Sequence, residues 1–103
     1  MKTLMILMKK KKEIPSHGPR SNPCPVICII DFENNSLSGS SFLEDITEYE
    51  IWDESYTICI SSMTHESYFV QFVKDLPNSH TYILKLKGVN FTYFGNFYNK
   101  KIN

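Results

Sequence analysis

Apolar and polar positions along this chain fall into runs and stripes that predict alternating strands and helices. Val26-Ile27-Cys28-Ile29-Ile30 is an unbroken apolar run, the pattern of a strand buried on both faces as in the parallel sheets of α/β proteins. It stops on Asp31-Phe32-Glu33-Asn34-Asn35, and the Ser, Asn and Gly of residues 34–41 read as a loop. Ser41-Phe42-Leu43-Glu44 has capping-box spacing and predicts a short helix over 42–48. Tyr56 to Ser62 reads as a second buried strand. Thr64 can cap a helix over 65–76, in which Phe69, Phe72, Val73 and Leu76 recur at helical spacing before Pro77 stops it. Thr81 to Lys87 predicts a third strand ending at Gly88. Phe91, Phe94, Phe97 and Tyr98 then fall at the spacing of an amphipathic helix. The succession predicts an α/β fold: a small three-stranded parallel sheet with flanking helices and right-handed crossovers, in a Rossmann-like three-layer arrangement.

Residues 1–24 read differently. Pro15, Gly18, Pro19 and Pro23 among polar residues predict a basic, disordered arm, with the domain occupying 25–103. The formal net charge of zero hides an asymmetry: six bases face one acid up to residue 25, and five bases face ten acids beyond it. An acidic body argues against a broad nucleic-acid surface, whose affinity comes from Lys and Arg. Lys9 to Lys12 read as a solvated charge run or as a dock for an acidic surface or phosphate backbone. Glu44, Asp45, Glu48, Glu50, Asp53 and Glu54 follow one another without a base, which predicts a solvated face or a surface that recruits a basic partner.

Three cysteines, Cys24, Cys28 and Cys59, favour reduced thiols in a cytoplasmic protein. Cys24 and Cys28 with His17 lack the paired knuckles and the fourth ligand of a structural zinc site, and Cys28 lies in the apolar run, so buried thiols are expected. Leu4 to Met8 is too short to span a bilayer, which takes about 20 residues, and no membrane segment or signal peptide is expected. His65 and His80 have no neighbouring nucleophile. Phe91, Tyr93, Phe94, Phe97 and Tyr98 with Lys100 and Lys101 read as a sheet-covering helix or as a stacking platform for single-stranded nucleic acid.

Asp31 stands where a parallel strand would end, the edge at which open α/β sheets bind ligands; alternatively it caps the turn that follows. The segment Asp31, Phe32, Glu33, Asn34 resembles the first motif of the PIN-like nuclease superfamily, especially its NYN-type branch. Ile58-Cys59-Ile60-Ser61 is similar to the family's second strand, and Gly88-Val89-Asn90-Phe91-Thr92-Tyr93-Phe94 resembles its Gly-x-Asn-x-x-Asp-Phe segment, with Tyr93 at the acidic position. The resemblance implies Asp31 as a metal-binding and catalytic acid flanked by Glu33 and Asn34, with RNA as substrate and Mg²⁺ or Mn²⁺ as cofactor in an active member. Because a phenol cannot replace a carboxylate ligand and the chain covers only the first part of such a domain, the expectation is a truncated or degenerate domain without nuclease activity or resident metal. Strand 26–30 would then carry an exposed edge that pairs with a second copy or a protein partner. The competing expectation is a small acidic interaction or inhibitor protein, of phage or mobile-element type, that binds a basic partner.

Overall fold

The computed structural model describes residues 3–12, 26–39, 46–77, 79–89 and 91–99. These form seven strands and one helix: β1 (Thr3–Lys12), β2 (Val26–Asp31), β3 (Ser36–Gly39), β4 (Ile46–Asp53), β5 (Cys59–Met63), α1 (Glu66–Lys74), β6 (His80–Gly88) and β7 (Phe91–Asn99). The strands make one curled sheet in the order β3-β2-β1-β7-β6-β4-β5, and every pairing in it is antiparallel. The predicted three-stranded parallel sheet with flanking helices is therefore overturned.

Five local readings change with it. The apolar run 26–30 is two-sided because Val26, Cys28 and Ile30 enter the core while Ile27 and Ile29 are half-buried on the other face. Residues 3–12 of the predicted arm are an inner strand: Ile6 and Met8 are buried, Met5 and Leu7 face out, and an apolar stretch running into lysines hides that alternation. Phe91–Asn99 is a strand, not a helix. Tyr93 and Phe97 are four apart, a spacing compatible with both periods, and Gly95 decides for the strand. A Cβ there would meet Met8 Sδ and lie 2.8 Å from the Leu7 carbonyl oxygen, so glycine lets β7 approach β1 closely. Ile46–Asp53 replaces the C-terminal part of the predicted helix over 42–48, and Ser36–Gly39 replaces part of the predicted loop. Residues 13–24 of the arm, with His17 and Cys24, and Lys100 and Lys101 lie outside the described residues.

β1 joins the two halves of the sheet. Thr3 to Met8 pair with β2, and Lys9 to Lys12 pair with β7. The inner face buries Ile6, Cys28, Ile30, Ile51, Leu84 and Leu86, and α1 closes it with Phe69, Val70 and Val73. Burial pushes the Cys28 thiol up to about 12, with Glu66 adding to the effect. The predicted helix is present: Glu66 in its first turn and Lys74 in its last suit the helix dipole, although the residue at its N-cap is His65 and makes no side-chain cap. The buried Asn99 amide donates to the carbonyls of Leu76 and Pro77 at 2.9 and 3.0 Å, fixing the exit from the helix.

The expected exposed edge on strand 26–30 does not exist, because β2 is hydrogen-bonded to β1 on one side and β3 on the other. The actual edges are β3 and β5, and α1 packs against both. The outer N–H of Leu37 in β3 donates to the Glu66 carboxylate at 3.2 Å. β5 is five residues long, with a register break against β4 between Ile51 and Trp52. A short, irregular edge and a covered one are both blunted against further pairing.

Candidate binding site

Asp31 ends β2 and holds the hairpin into β3. One carboxylate oxygen accepts the backbone N–H of Glu33 at 2.9 Å and of Asn34 at 3.1 Å, and the other accepts the Asn34 side-chain amide at 2.8 Å. These bonds, that of the Asn34 side chain first, lower the Asp31 pKa. The sequence-predicted trio Asp31, Glu33 and Asn34 is thus brought together as a turn. Tyr93, aligned by the resemblance with an acidic position, is buried in the core. It pairs with Lys10 of β1 whereas Asp31 pairs with Thr3, which separates them by seven residues or about 23 Å along that strand. Among the described residues no three His, Cys, Asp or Glu side chains converge on a metal position.

A different constellation lies on the outer face. Glu50 of β4 pairs with Lys85 of β6, Lys85 with Phe94 of β7, and Phe94 with Lys9 of β1. The four stand in one row across the sheet, about 4.8 Å from strand to strand. The Lys85 ammonium lies 5.7 Å from the ring centroid of Trp52 and 5.6 Å from those of Tyr56 and Phe94. It donates to the Tyr56 hydroxyl at 3.0 Å, so Tyr56 meets it through its oxygen rather than its ring face. Beneath it the Glu50 carboxylate is 3.9 Å away and only 7% of the residue is exposed. The Trp52 indole N–H donates to that carboxylate at 2.7 Å, which fixes the ring. Lys87 adds ion pairs to Glu48 at 3.3 Å and to Glu50 at 3.8 Å. Part of the predicted solvated acidic face is therefore neutralised within the sheet, and Glu50 is buried in it.

Tyr56 reaches the cage from a turn built by Asp53. The Asp53 carboxylate accepts the backbone N–H groups of Thr57 at 2.8 Å and Ile58 at 2.6 Å, and the hydroxyls of Ser55 and Thr57. The bond from Ser55 is the largest of the causes that hold Asp53 well below the usual carboxylate range. Tyr56 takes the left-handed conformation at φ 58°, a placement that costs on the order of 1–2 kcal/mol for a residue with a Cβ. The ring contacts at the cage accompany it: Trp52 at 4.5 Å and, edge-on, Phe94 at 5.8 Å.

Two concavities adjoin these elements. A notch of about 250 Å³ beside the cage is lined by Leu7, Lys9, Phe94, Gly95 and Asn96. A more open cleft of about 540 Å³ at the end of the sheet includes His80, Tyr98 and the other side of the Asp53 turn. Sequence reasoning singled out neither Trp52 nor Lys85. The available signal was the alternation Glu48-x-Glu50-x-Trp52 against Ile83-x-Lys85-x-Lys87, opposite charges on alternate positions of two strands. Among the described residues no helix is long and apolar enough to cross a membrane. No known protein family, curated protein or solved structure matches this chain.

Proposed function

We propose that the chain is a non-catalytic interaction module that binds a basic protein partner on the outer face of its sheet, taking a partner ammonium into the cage of Trp52, Tyr56 and Phe94. The observation that carries this reading is the ammonium of Lys85 held by the Trp52 and Phe94 rings and the Tyr56 hydroxyl above the buried carboxylate of Glu50. Such a site attracts a cation through the Trp52 and Phe94 rings, the Tyr56 oxygen and the fixed negative charge together. Lys85 fills it in the free chain. Exchanging one ammonium for another costs little within the cage, because Lys85 regains water as the partner's ammonium gives it up.

The sheet edges are a poorer place for association, since one is covered by Glu66 and the other is short and irregular. A nuclease-related reading would need several carboxylates aimed at one point, and Asp31 spends both its oxygens on its own turn. An RNA reading would draw on Lys9 to Lys12, but the outer row that holds Lys9 sets Glu50 beside Lys85, whereas phosphate affinity grows with the number of phosphates that bases neutralise.

Trp52 is the only tryptophan in the chain and reports the cage directly. Lys85→Met vacates the ammonium position while retaining an unbranched stem. Titrated with tetramethylammonium, the variant is expected to show a saturable change in Trp52 emission at concentrations at least about tenfold lower than the parent needs, because the internal competitor is gone. A folded Lys85→Met protein whose emission ignores the cation would overturn the proposal.

A further inference from the structure

Because exchange at the cage is close to neutral, selectivity must come from what lies beside it, and the notch is the adjoining feature. We infer that the ligand segment is an extended peptide carrying an apolar side chain two residues from its lysine, with the lysine in the cage and the apolar side chain in the notch; this rests on the basic-partner reading above. Phe94 is shared by both sites, forming one wall of the cage and one wall of the notch. The cage spans β4, β6 and β7, and the notch lies between β7 and β1, so their centres are about one and a half strand spacings apart, roughly 7 Å. An extended peptide places side chains i and i+2 on one side at about 6.6–6.8 Å. A peptide crossing the strands can therefore fill both with no residue to spare.

The chemistry of the notch selects the second side chain. Leu7 is 68% exposed although it stands on an inner strand, and it offers an apolar wall opposite Phe94. Lys9 lies at the same notch and is exposed, which disfavours a second basic residue there. Met5, 65% exposed, extends the apolar surface along β1.

The test uses the full chain and blocked peptides of equal length: one with Leu two residues from Lys, in either order; one with Leu adjacent to Lys; and one with Ser in place of Leu. Trp52 emission reads the cage, and the backbone amide signals of Leu7 and Asn96 read the notch. The two-residue spacing is expected to bind about tenfold more tightly than either control, the gain of burying most of one leucine. Leu7→Ser should erase that advantage, bringing the Leu peptide down to the affinity of the Ser peptide. If all peptides bind with one affinity, the spacing inference is wrong and the basic-partner reading stands. If none binds, even to Lys85→Met, both fail.

Discussion

Asp31 and Asp53 occupy equivalent places in two hairpins, and only one of them builds anything beyond its turn. Each closes a strand, each accepts two backbone N–H groups of the turn that follows, and each is held below its ordinary pKa by those bonds and by neighbouring side chains. The turn after Asp31 returns as the short edge strand β3, with Asn35 in the left-handed region at φ 50°. The turn after Asp53 carries an aromatic side chain in that region, and the ring is thereby placed on Lys85. A strand-end aspartate is turn chemistry in both cases. What the turn carries, and what lies beneath it, distinguishes a connector from a site.

The largest effect is expected beneath the Tyr56 turn. Glu50→Gln keeps the shape and an acceptor for the Trp52 indole but removes the charge that Lys85 and Lys87 share, and should cost on the order of 1–2 kcal/mol in chemical denaturation, because the lysines left behind are only partly buried and can turn to water. A change below about 0.5 kcal/mol would put Glu50 with ordinary surface residues. It would then match the solvated acidic face expected from the run Glu44 to Glu54. The paired variants Asp53→Ala and Asp31→Ala bear on the comparison directly. The first should release Tyr56 and shift Trp52 emission toward that of a solvated indole, whereas the second should disturb amide signals only around residues 31–36. An equal Trp52 response to both would mean that the Asp53 turn does not organise the cage.

Acid titration separates the same two turns more gently. A carboxylate whose pKa is lower in the folded chain stabilises it above the unfolded value, 3.8 for aspartate, and that contribution is lost as pH falls through the folded value. The Asp53 side-chain carboxyl signal, followed by NMR, should therefore stay constant from neutral pH down to about 3.8 and change only below it. A transition centred at the ordinary carboxylate value would show that the Ser55, Thr57 and Ile58 bonds do not hold Asp53.

Local periodicity made some of this legible and left the rest hidden. The stripe Phe69, Val73, Leu76 fits a helix and no strand, so α1 could be read directly, as could β6 from its apolar content. Strand direction could not, because an apolar run such as 26–30 suits either a parallel strand covered by helices or an antiparallel strand whose outer face remains partly apolar. The partners that decide between them, Leu4 to Met8, precede it by some twenty residues and look like part of an arm. The site was hidden for the same reason. Asp31 stood out because it ends an apolar run, Asp53 was submerged among acids, and Trp52, Lys85 and Phe94 meet only through the pairing of β4, β6 and β7.

The smallest expected effect isolates backbone strain from side-chain purpose. Asn35 and Tyr56 both hold left-handed conformations that glycine adopts without a Cβ penalty. The Asn35 side-chain oxygen is buried without a hydrogen-bond partner among the described residues, so Asn35→Gly removes both the strain and that unsatisfied acceptor. It should stabilise the chain by up to about 1 kcal/mol, after the added flexibility of glycine in the unfolded state is offset. Tyr56→Gly relieves the same kind of strain but deletes the hydroxyl that Lys85 donates to and the ring that contacts Trp52 and Phe94. It should be neutral or destabilising, and it should weaken tetramethylammonium binding in the Lys85→Met background. Equal stabilisation by the two substitutions, with cation binding intact, would reduce Tyr56 to a turn residue like Asn35 and dissolve the distinction between the two hairpins.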